Sequence, residues 1–295
     1  MILGKKERLL NFFITIIFLL LALFCVLPVV YILSASFSDE IMLTRQGYSL
    51  FPRGFSLEAY EYVLKNPRPI LNAYGITVFV TLMGTAVSLL FTTMLAYVIV
   101  RKDFPFSKIL SFMVFFSMLF NGGLVPTYIL MTQYFHVRDT IWSMIIPYLI
   151  VPWHVFLMKG FLNDTQTMLI EAAKIDGAGE IRLFFSIILP ISKPALATVG
   201  LFIAFTYWND WYQSMLYIDS VQLTSLQFYL YRIMNNIQYL STSLQSGNIQ
   251  IDLSALPSET ARMSMCILAA GPMLVIFPFF QKYFVKGIIV GAVKG

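Results

Sequence analysis

The chain has 295 residues, 58% of them hydrophobic and only 12% charged, with a mean hydropathy of +0.77. Ordinary soluble domains are about 45–50% apolar, so a water-soluble globular protein is excluded. The net charge of +5 could suggest nucleic acid, but no basic cluster is interleaved with aromatics, and no nucleic-acid partner is expected.

The apolar residues fall into runs that can cross a lipid bilayer, which takes about 20 residues at 1.5 Å each. Leu9–Ser34 contains no Asp, Glu, Lys or Arg. Neither do Ile70–Val100, Ile109–Phe135, Thr140–Met158, Pro194–Asn209 and Met263–Gln281, and the fifth run resumes after Asp210 as far as Ile218. The fold class expected is all-α, a polytopic membrane protein with one membrane domain over 1–295. Its six transmembrane helices are expected at 9–34, 71–100, 109–133, 140–160, 194–217 and 262–284. Pro126, Pro147, Pro152, Pro272 and Pro278 fall inside spans three, four and six, which is tolerated where neighbours re-satisfy the freed carbonyls. The first run is too long for a signal-peptide core, and Ser34-Ala35-Ser36 is a weak cleavage site, so it is read as a retained helix. Cys25 and Cys266 are expected to be buried packing residues, not a disulfide or a metal pair.

Charge supplies the orientation. With six alternating spans, the N-terminus, the 101–108 loop, the 159–193 loop and the C-terminus share one side and hold 13 of the 20 Lys and Arg residues. The positive-inside rule places that side, with both termini, in the cytoplasm.

Three loops are long. In the outer loop at 35–69, Ser56 is a candidate N-cap, and Leu57, Tyr60 and Leu64 share one helical face. In the outer loop at 219–261, Leu226, Leu230, Ile233, Ile237 and Leu240 recur at helical spacing. That pattern predicts a helix lying on the membrane surface or capping the bundle, in preference to partner docking. The inner loop at 164–192 contains EAAKIDGAGEIRLFFSIILP (171–190), a charged segment in an apolar chain. A helix is expected over Thr167–Lys174, a break at Asp176-Gly177, an amphipathic segment from Glu180 to Leu189, and a turn back at Pro190 and Pro194. Small side chains at Ala172, Ala173 and Ala178 would let another backbone approach closely; alone, they support only a docking surface.

Catalytic signatures are missing. There is no phosphate-binding G-x-x-x-x-G-K-[ST], no G-x-S-x-G, no H-E-x-x-H and no Cys/His ligand spacing. His136 and His154 stand apart and read as packing residues, so no catalytic residue and no metal site is expected. Asp210, within TYWNDWYQ, is an intramembrane carboxylate and therefore a functional candidate. Around it, Tyr207, Trp208, Trp211 and Tyr212 form either an interfacial belt or a stacking platform for sugar rings along a translocation pathway.

The segment EAAKIDGAGEIRLFFSIILPISKP (171–194) resembles the EAA motif of type I ABC importer permeases at Glu171, Ala172, Ala173, Asp176, Gly177, Ala178, Leu189, Pro190 and Pro194. NGGLVPTYILM (121–131), WNDWYQSMLYI (208–218) and QKYFVKGIIVGAVKG (281–295) are similar to the maltose-type carbohydrate uptake branch, LplC/MalG-like subgroup. The resemblance implies the type I ABC importer fold in a bacterial cytoplasmic membrane and a transport subunit, not an enzyme. It also implies a second, related permease chain, two ATPase subunits and an extracytoplasmic binding protein that delivers a carbohydrate, expected to be an oligosaccharide. ATP and Mg would be used by the ATPase, with no cofactor on this chain. Coupling would run through Glu171, Ala172, Ala173, Asp176, Gly177, Ala178 and Pro190, with Glu171 pairing with a basic group of the ATPase. Lys294 and Gly295 would be a further ATPase contact at the C-terminus. Asn121, Gly122, Trp208, Asn209, Asp210, Trp211 and Tyr212 are the candidate substrate-pathway residues.

Two alternatives remain at this level. A permease of the same superfamily could carry a peptide, an amino acid or an ion. An ion-gradient-driven secondary transporter would show inverted repeats and several intramembrane carboxylates, and neither is evident.

Overall fold

The computed structural model describes residues 5–101, 103–163, 173–245 and 258–292. Every described element is a helix, and among the described residues there is no strand. A backbone in hydrocarbon has no water to bond, so each apolar run must close its hydrogen bonds within itself.

In chain order the first helices are α1 (Lys5–Ser36), α2 (Glu40–Gln46), α3 (Glu58–Leu64) and α4 (Pro67–Val100). Next come α5 (Ser107–Leu119) and α6 (Leu124–Ile129), the latter continued by a π-turn to Tyr134. Then follow α7 (Trp142–Ile145), prolonged by a 3-10 turn to Tyr148, and α8 (Pro152–Asn163). After the segment 164–179 come α9 (Glu180–Leu183), extended by a π-turn through Ile188, and α10 (Lys193–Trp208). The chain closes with α11 (Tyr212–Tyr217), α12 (Leu226–Gln245) and α13 (Ser258–Ala292).

Three helices are long and apolar enough to cross a membrane unaided: Leu9–Ser36, Pro67–Val100 and Glu259–Phe279. Three bent pairs raise the number of spans to as many as six. Ser107–Leu119 meets Leu124–Tyr134 at 113°, Trp142–Tyr148 meets Pro152–Leu162 at 52°, and Glu180–Ile191 meets Lys193–Trp208 at 83°. The expected spans at 109–133 and 140–160 are therefore bent within their length, whereas the 83° bend falls at Ser192, before the expected span at 194–217 and at the turn expected between Pro190 and Pro194. The third breaks where the Asn121 carboxamide accepts the Gly123 N–H at 2.9 Å and Gly123 takes φ +89°. The fifth stops at Trp208, and its chain resumes as α11.

The chain divides into two compact units, Met1–Pro67 with Arg232–Gly271 and Arg68–Tyr231 with Pro272–Gly295. In the first, the apolar stretch of the Leu9–Ser36 span is exposed along its length and only its end, Ser34–Ser36, is buried, so the lipid or protein that covers the rest must come from outside. At its end, Tyr60 donates to the Ser36 hydroxyl at 2.9 Å, and the Phe37 ring stacks with Phe55. Asp39 caps α2 through the Met42 N–H at 2.9 Å. Ser56 accepts the Glu58 N–H at 3.2 Å, but the cap position of α3 is Leu57. Glu40 caps a helix 219 residues away: its carboxylate accepts the N–H groups of Glu259 (3.0 Å) and Thr260 (2.9 Å) at the start of α13. A carboxylate there meets the unpaired N–H groups and the positive end of the helix dipole.

In the second unit a core forms around Ala96, Met144, Val155, Met158, Leu183, Ile188, Val199 and Ile203. Its polar side chains repair the bend between α7 and α8. Pro152 has no N–H to offer the Tyr148 carbonyl, and the Ser88 hydroxyl donates there at 3.1 Å and to the Leu149 carbonyl at 2.8 Å. Tyr207 donates to the Ile145 carbonyl at 2.9 Å. Its ring lies so close to α4 that a Cβ on Gly84 would stand 2.7 Å from it, which is why position 84 has no side chain. Cys25 and Cys266 are exposed, not buried as expected. They lie on apolar helix faces that this chain does not itself cover.

Candidate coupling loop and solute pathway

The coupling loop enters the described residues at Ala173. Glu171, Ala172 and the preceding 164–170, and likewise Lys294 and Gly295, lie outside them. From Ala173 the backbone finishes a helix in a defined way. The Gly177 N–H bonds the Lys174 carbonyl at 3.0 Å, and the Ala178 N–H bonds the Ala173 carbonyl at 2.9 Å. This pair of bonds with a left-handed residue between them is the Schellman ending, and Gly177 supplies that residue at φ +78°. The expected break at Asp176-Gly177 is thus a closed, hydrogen-bonded turn. Asp176 and Gly177 are exposed, Ala178 is half-buried, and Ala173 packs into the core. Ile175, at the tip, is 86% exposed. Pro190 is exposed in the short helix before the 83° bend.

Beside the turn lies a cluster of charges that reading the sequence did not single out. Arg101, one residue past α4, donates through Nε to Asp103 Oδ1 at 2.7 Å and through Nη2 to Asp103 Oδ2. Its Nη1 donates to Glu180 and, at 2.9 Å, to the Tyr97 hydroxyl. Lys174 bonds Asp103 and lies 3.6 Å from Glu180. The grip of Arg101, reinforced by Lys174, holds the Asp103 carboxyl well below the usual carboxylate range. Local pattern could not reveal this junction, because Arg101 and Glu180 are 79 residues apart.

The pathway candidates separate into three environments. Asn121 and Gly122 are exposed at the break in the third span. The preceding helix α5 has 13 residues, about 20 Å at 1.5 Å per residue, less than the hydrocarbon thickness of about 30 Å. Irregular backbone at that depth persists only where protein covers it or where it lines a water-filled cavity.

Trp208 is 3% exposed and lines an apolar cavity of about 660 Å³ with Leu82, Leu89, Leu201, Met273 and Ile276. Those walls offer a sugar few hydrogen bonds. Asp210 is buried: its carboxylate accepts the Tyr148 hydroxyl at 2.9 Å and the Gln213 N–H at 3.3 Å, and its carbonyl accepts the Ser225 hydroxyl at 3.2 Å. It is an internal anchor that ties α11 to the bent fourth span. Asn209, Trp211 and Tyr212 face outward, with Trp211 stacked on Tyr231 at 4.8 Å. Nearby, Asp139 stands at φ +55°. Its carboxylate accepts the N–H groups of Asp219 and Ser220 at 3.1 and 2.9 Å, and the Ser220 bond leads in holding its pKa low. Arg138 pairs with Asp219 at 3.0 Å. These contacts and the Tyr128–Tyr217 stack at 5.6 Å fasten the α6–α7 connection to the end of α11.

Comparison with known proteins identifies the family and the fold. The family model described as binding-protein-dependent transport system inner membrane component matches residues 88–290. Protein LplC of Bacillus subtilis is 36% identical over 270 residues, covering 92% of this chain and 90% of its own. A permease of the same organism, YtcP, named for polygalacturonan/rhamnogalacturonan transport, is 36% identical over 98% of this chain and all of its own. Among solved structures, a chain of a bacterial ABC transporter involved in the import of the acidic polysaccharide alginate superposes with a TM-score of 0.77. It is 24% identical, and the match covers 96% of this chain and 99% of that one; at that identity it shows the fold alone. The chain has that transporter's fold and, by the family match and the two Bacillus relatives, belongs to the binding-protein-dependent transport system inner membrane components, a family of transport subunits and not of enzymes.

Proposed function

We propose that this chain is one of two related permease subunits that form the pore of an ATP-driven carbohydrate importer, with an oligosaccharide as its substrate. The names of relatives, one for polygalacturonan/rhamnogalacturonan and one for arabinooligosaccharides, support the substrate class. Two ATPase subunits, which bind ATP and Mg, would dock at residues 164–192, and an extracytoplasmic binding protein would deliver the sugar to the opposite face. That topology puts both termini and the coupling loop in the cytoplasm, in keeping with the Lys and Arg distribution.

The observation that carries the reading is the turn at 173–178. A rigid Schellman ending presents an 86%-exposed Ile175 between polar neighbours, as expected of a knob that fits an apolar cleft in a partner. Glu171, Ala172, Ala173, Asp176, Gly177, Ala178 and Pro190 form this docking element, with Lys294 and Gly295 as a second contact. ATP binding that closes the ATPase dimer would draw two such knobs together and shift the pore between inward- and outward-facing states. Such coupling requires the docked ATPase to favour one state over the other.

On the pathway side, the exposed break at Asn121–Gly122 and the outward Asn209, Trp211 and Tyr212 supply backbone polar groups, amides and aromatic faces, the chemistry that sugars need. Asp210 holds that end in place, and Trp208 packs.

Purification by a tag on this chain tests the assignment. Two ATPase subunits and a second permease should co-purify. Ile175→Asp or Glu171→Ala should leave the chain in the membrane but reduce ATPase recovery and transport. Absence of any ATPase would sink the reading, and a co-purified binding protein loaded with an amino acid or a peptide would overturn the sugar.

A further inference from the structure

The exposed knob of the coupling loop is bracketed in sequence by Lys174 and Glu180, and both are tied to the same two residues at the end of α4. Lys174 bonds Asp103, and Glu180 bonds Arg101. Between them the Schellman turn is stiff, because the Lys174 carbonyl itself accepts the Gly177 N–H. The guanidinium at the centre is 11% exposed, whereas the carboxylates of Asp103 and Glu180 are 50% and 58% exposed. Arg101 uses its planar fork on Asp103 and its remaining nitrogen on Glu180 and Tyr97, a geometry that a lysine ammonium cannot reproduce. Two cations and two anions balance, so the cluster holds together without a counter-ion. Underneath, the Tyr97 ring meets Phe184 at 5.5 Å, joining the same helix to the segment that leads into the fifth span.

From this geometry we infer that Arg101 is a positioning residue for energy coupling: it transmits displacement of the loop into α4. The inference rests on the reading of 164–192 as the ATPase-docking loop. Force on the knob at Ile175–Gly177 can reach the membrane along the chain, through α9 and the 83° bend at Ser192. It can also pass through Lys174 and Glu180 into Asp103 and Arg101, and so into 34 residues of continuous helix. The route along the chain turns through 83°, whereas the ionic route enters one unbroken helix directly. Solvent-exposed pairs are individually weak, but here they share one largely covered, four-bond guanidinium.

The test uses the complete transporter in proteoliposomes, with ATP and the binding protein as purified with its endogenous ligand. Glu180→Gln and Asp103→Asn change exposed side chains and should fold, and Arg101→Gln removes the hub. In all three the ATPase should still co-purify and basal ATP hydrolysis should persist. Stimulation of hydrolysis by the binding protein should fall by about tenfold or more, within the range of measured coupling energies. The exchange Arg101→Glu with Glu180→Arg should recover part of the stimulation, which a residue that merely fills space would not allow. Undiminished stimulation in Glu180→Gln and Asp103→Asn would overturn the inference. Loss of the ATPase together with stimulation would also overturn it, since the cluster would then shape the dock without transmitting from it. If the wild-type chain retains no ATPase, it is the importer reading that fails.

Discussion

Replacing Gly177 by alanine isolates one physical cause. A Cβ built at this position meets nothing within 4 Å, so the substitution creates no clash within the chain. The backbone, however, stands at φ +78°, a conformation that costs an L-residue about 1–2 kcal/mol. The ratio of formed to unformed turn then falls by a factor of about 5–30. A partner that docks on the formed turn binds more weakly by up to the same factor, in proportion to the fraction of turn lost. Asparagine tolerates the left-handed region better than alanine, and valine tolerates it worse. The affinity order expected is therefore Gly177, then Asn, then Ala, then Val. Titrating the detergent-purified permease pair with fluorescent ATPase subunit, followed by anisotropy, measures it. Equal affinities for Ala and Val would refute the conformational argument. So would loss of binding far beyond thirtyfold in Ala, which would mean that the partner's surface touches the glycine directly.

Gly84→Ala forces the Tyr207 ring off α4 and strains its bond to the Ile145 carbonyl, lowering stability by about 1–3 kcal/mol as overpacking does; a thermal melt in detergent reads it, and a change below the reproducibility of that melt would contradict the close approach. Ser88→Ala leaves the carbonyls freed at the fourth-span bend without their donor, at a cost of about 1 kcal/mol that the same melt reads; an unchanged melt would contradict those bonds. Because the Asp103 carboxyl is held below its ordinary value of 3.8, its contribution to the junction is complete above that value and disappears only as pH falls through the lower folded one. Binding-protein stimulation should therefore show no Asp103-dependent change between about pH 6 and 8, and Asp103→Asn should lower it evenly across that window; a selective loss near pH 6 in the wild type would show that the pairing is weaker than the contacts imply.

An all-α chain with six spans was legible in hydropathy, because membrane insertion depends on local composition, and uncharged runs such as 70–100 leave the chain no alternative to helix. The turn at Gly177 was legible for a similar reason. A helix ending needs a left-handed residue immediately past it, and only neighbours in sequence take part. The amphipathic run from Leu226 to Leu240 likewise appears within α12, with Leu226, Leu230 and Ile237 buried.

Hydropathy did not show that the third and fourth spans are bent. Bends cost backbone hydrogen bonds, and whether a chain accepts them depends on donors brought from elsewhere, as Ser88 and Tyr207 are brought to the carbonyls between Ile145 and Leu149. Asp210 was legible as an intramembrane carboxylate, but its partner Tyr148 is 62 residues away in sequence. The charges of 171–182 were legible as an interruption of an apolar chain, but not that Lys174 and Glu180 turn back to Asp103 and Arg101. Local sequence thus determined where helices run and where this one ends, since those outcomes depend on residues a few positions apart. Tertiary structure alone decided which polar groups are partnered and how the coupling loop is tied to α4, because an ion pair or a repaired carbonyl depends on distance in space and leaves no periodic trace along the chain.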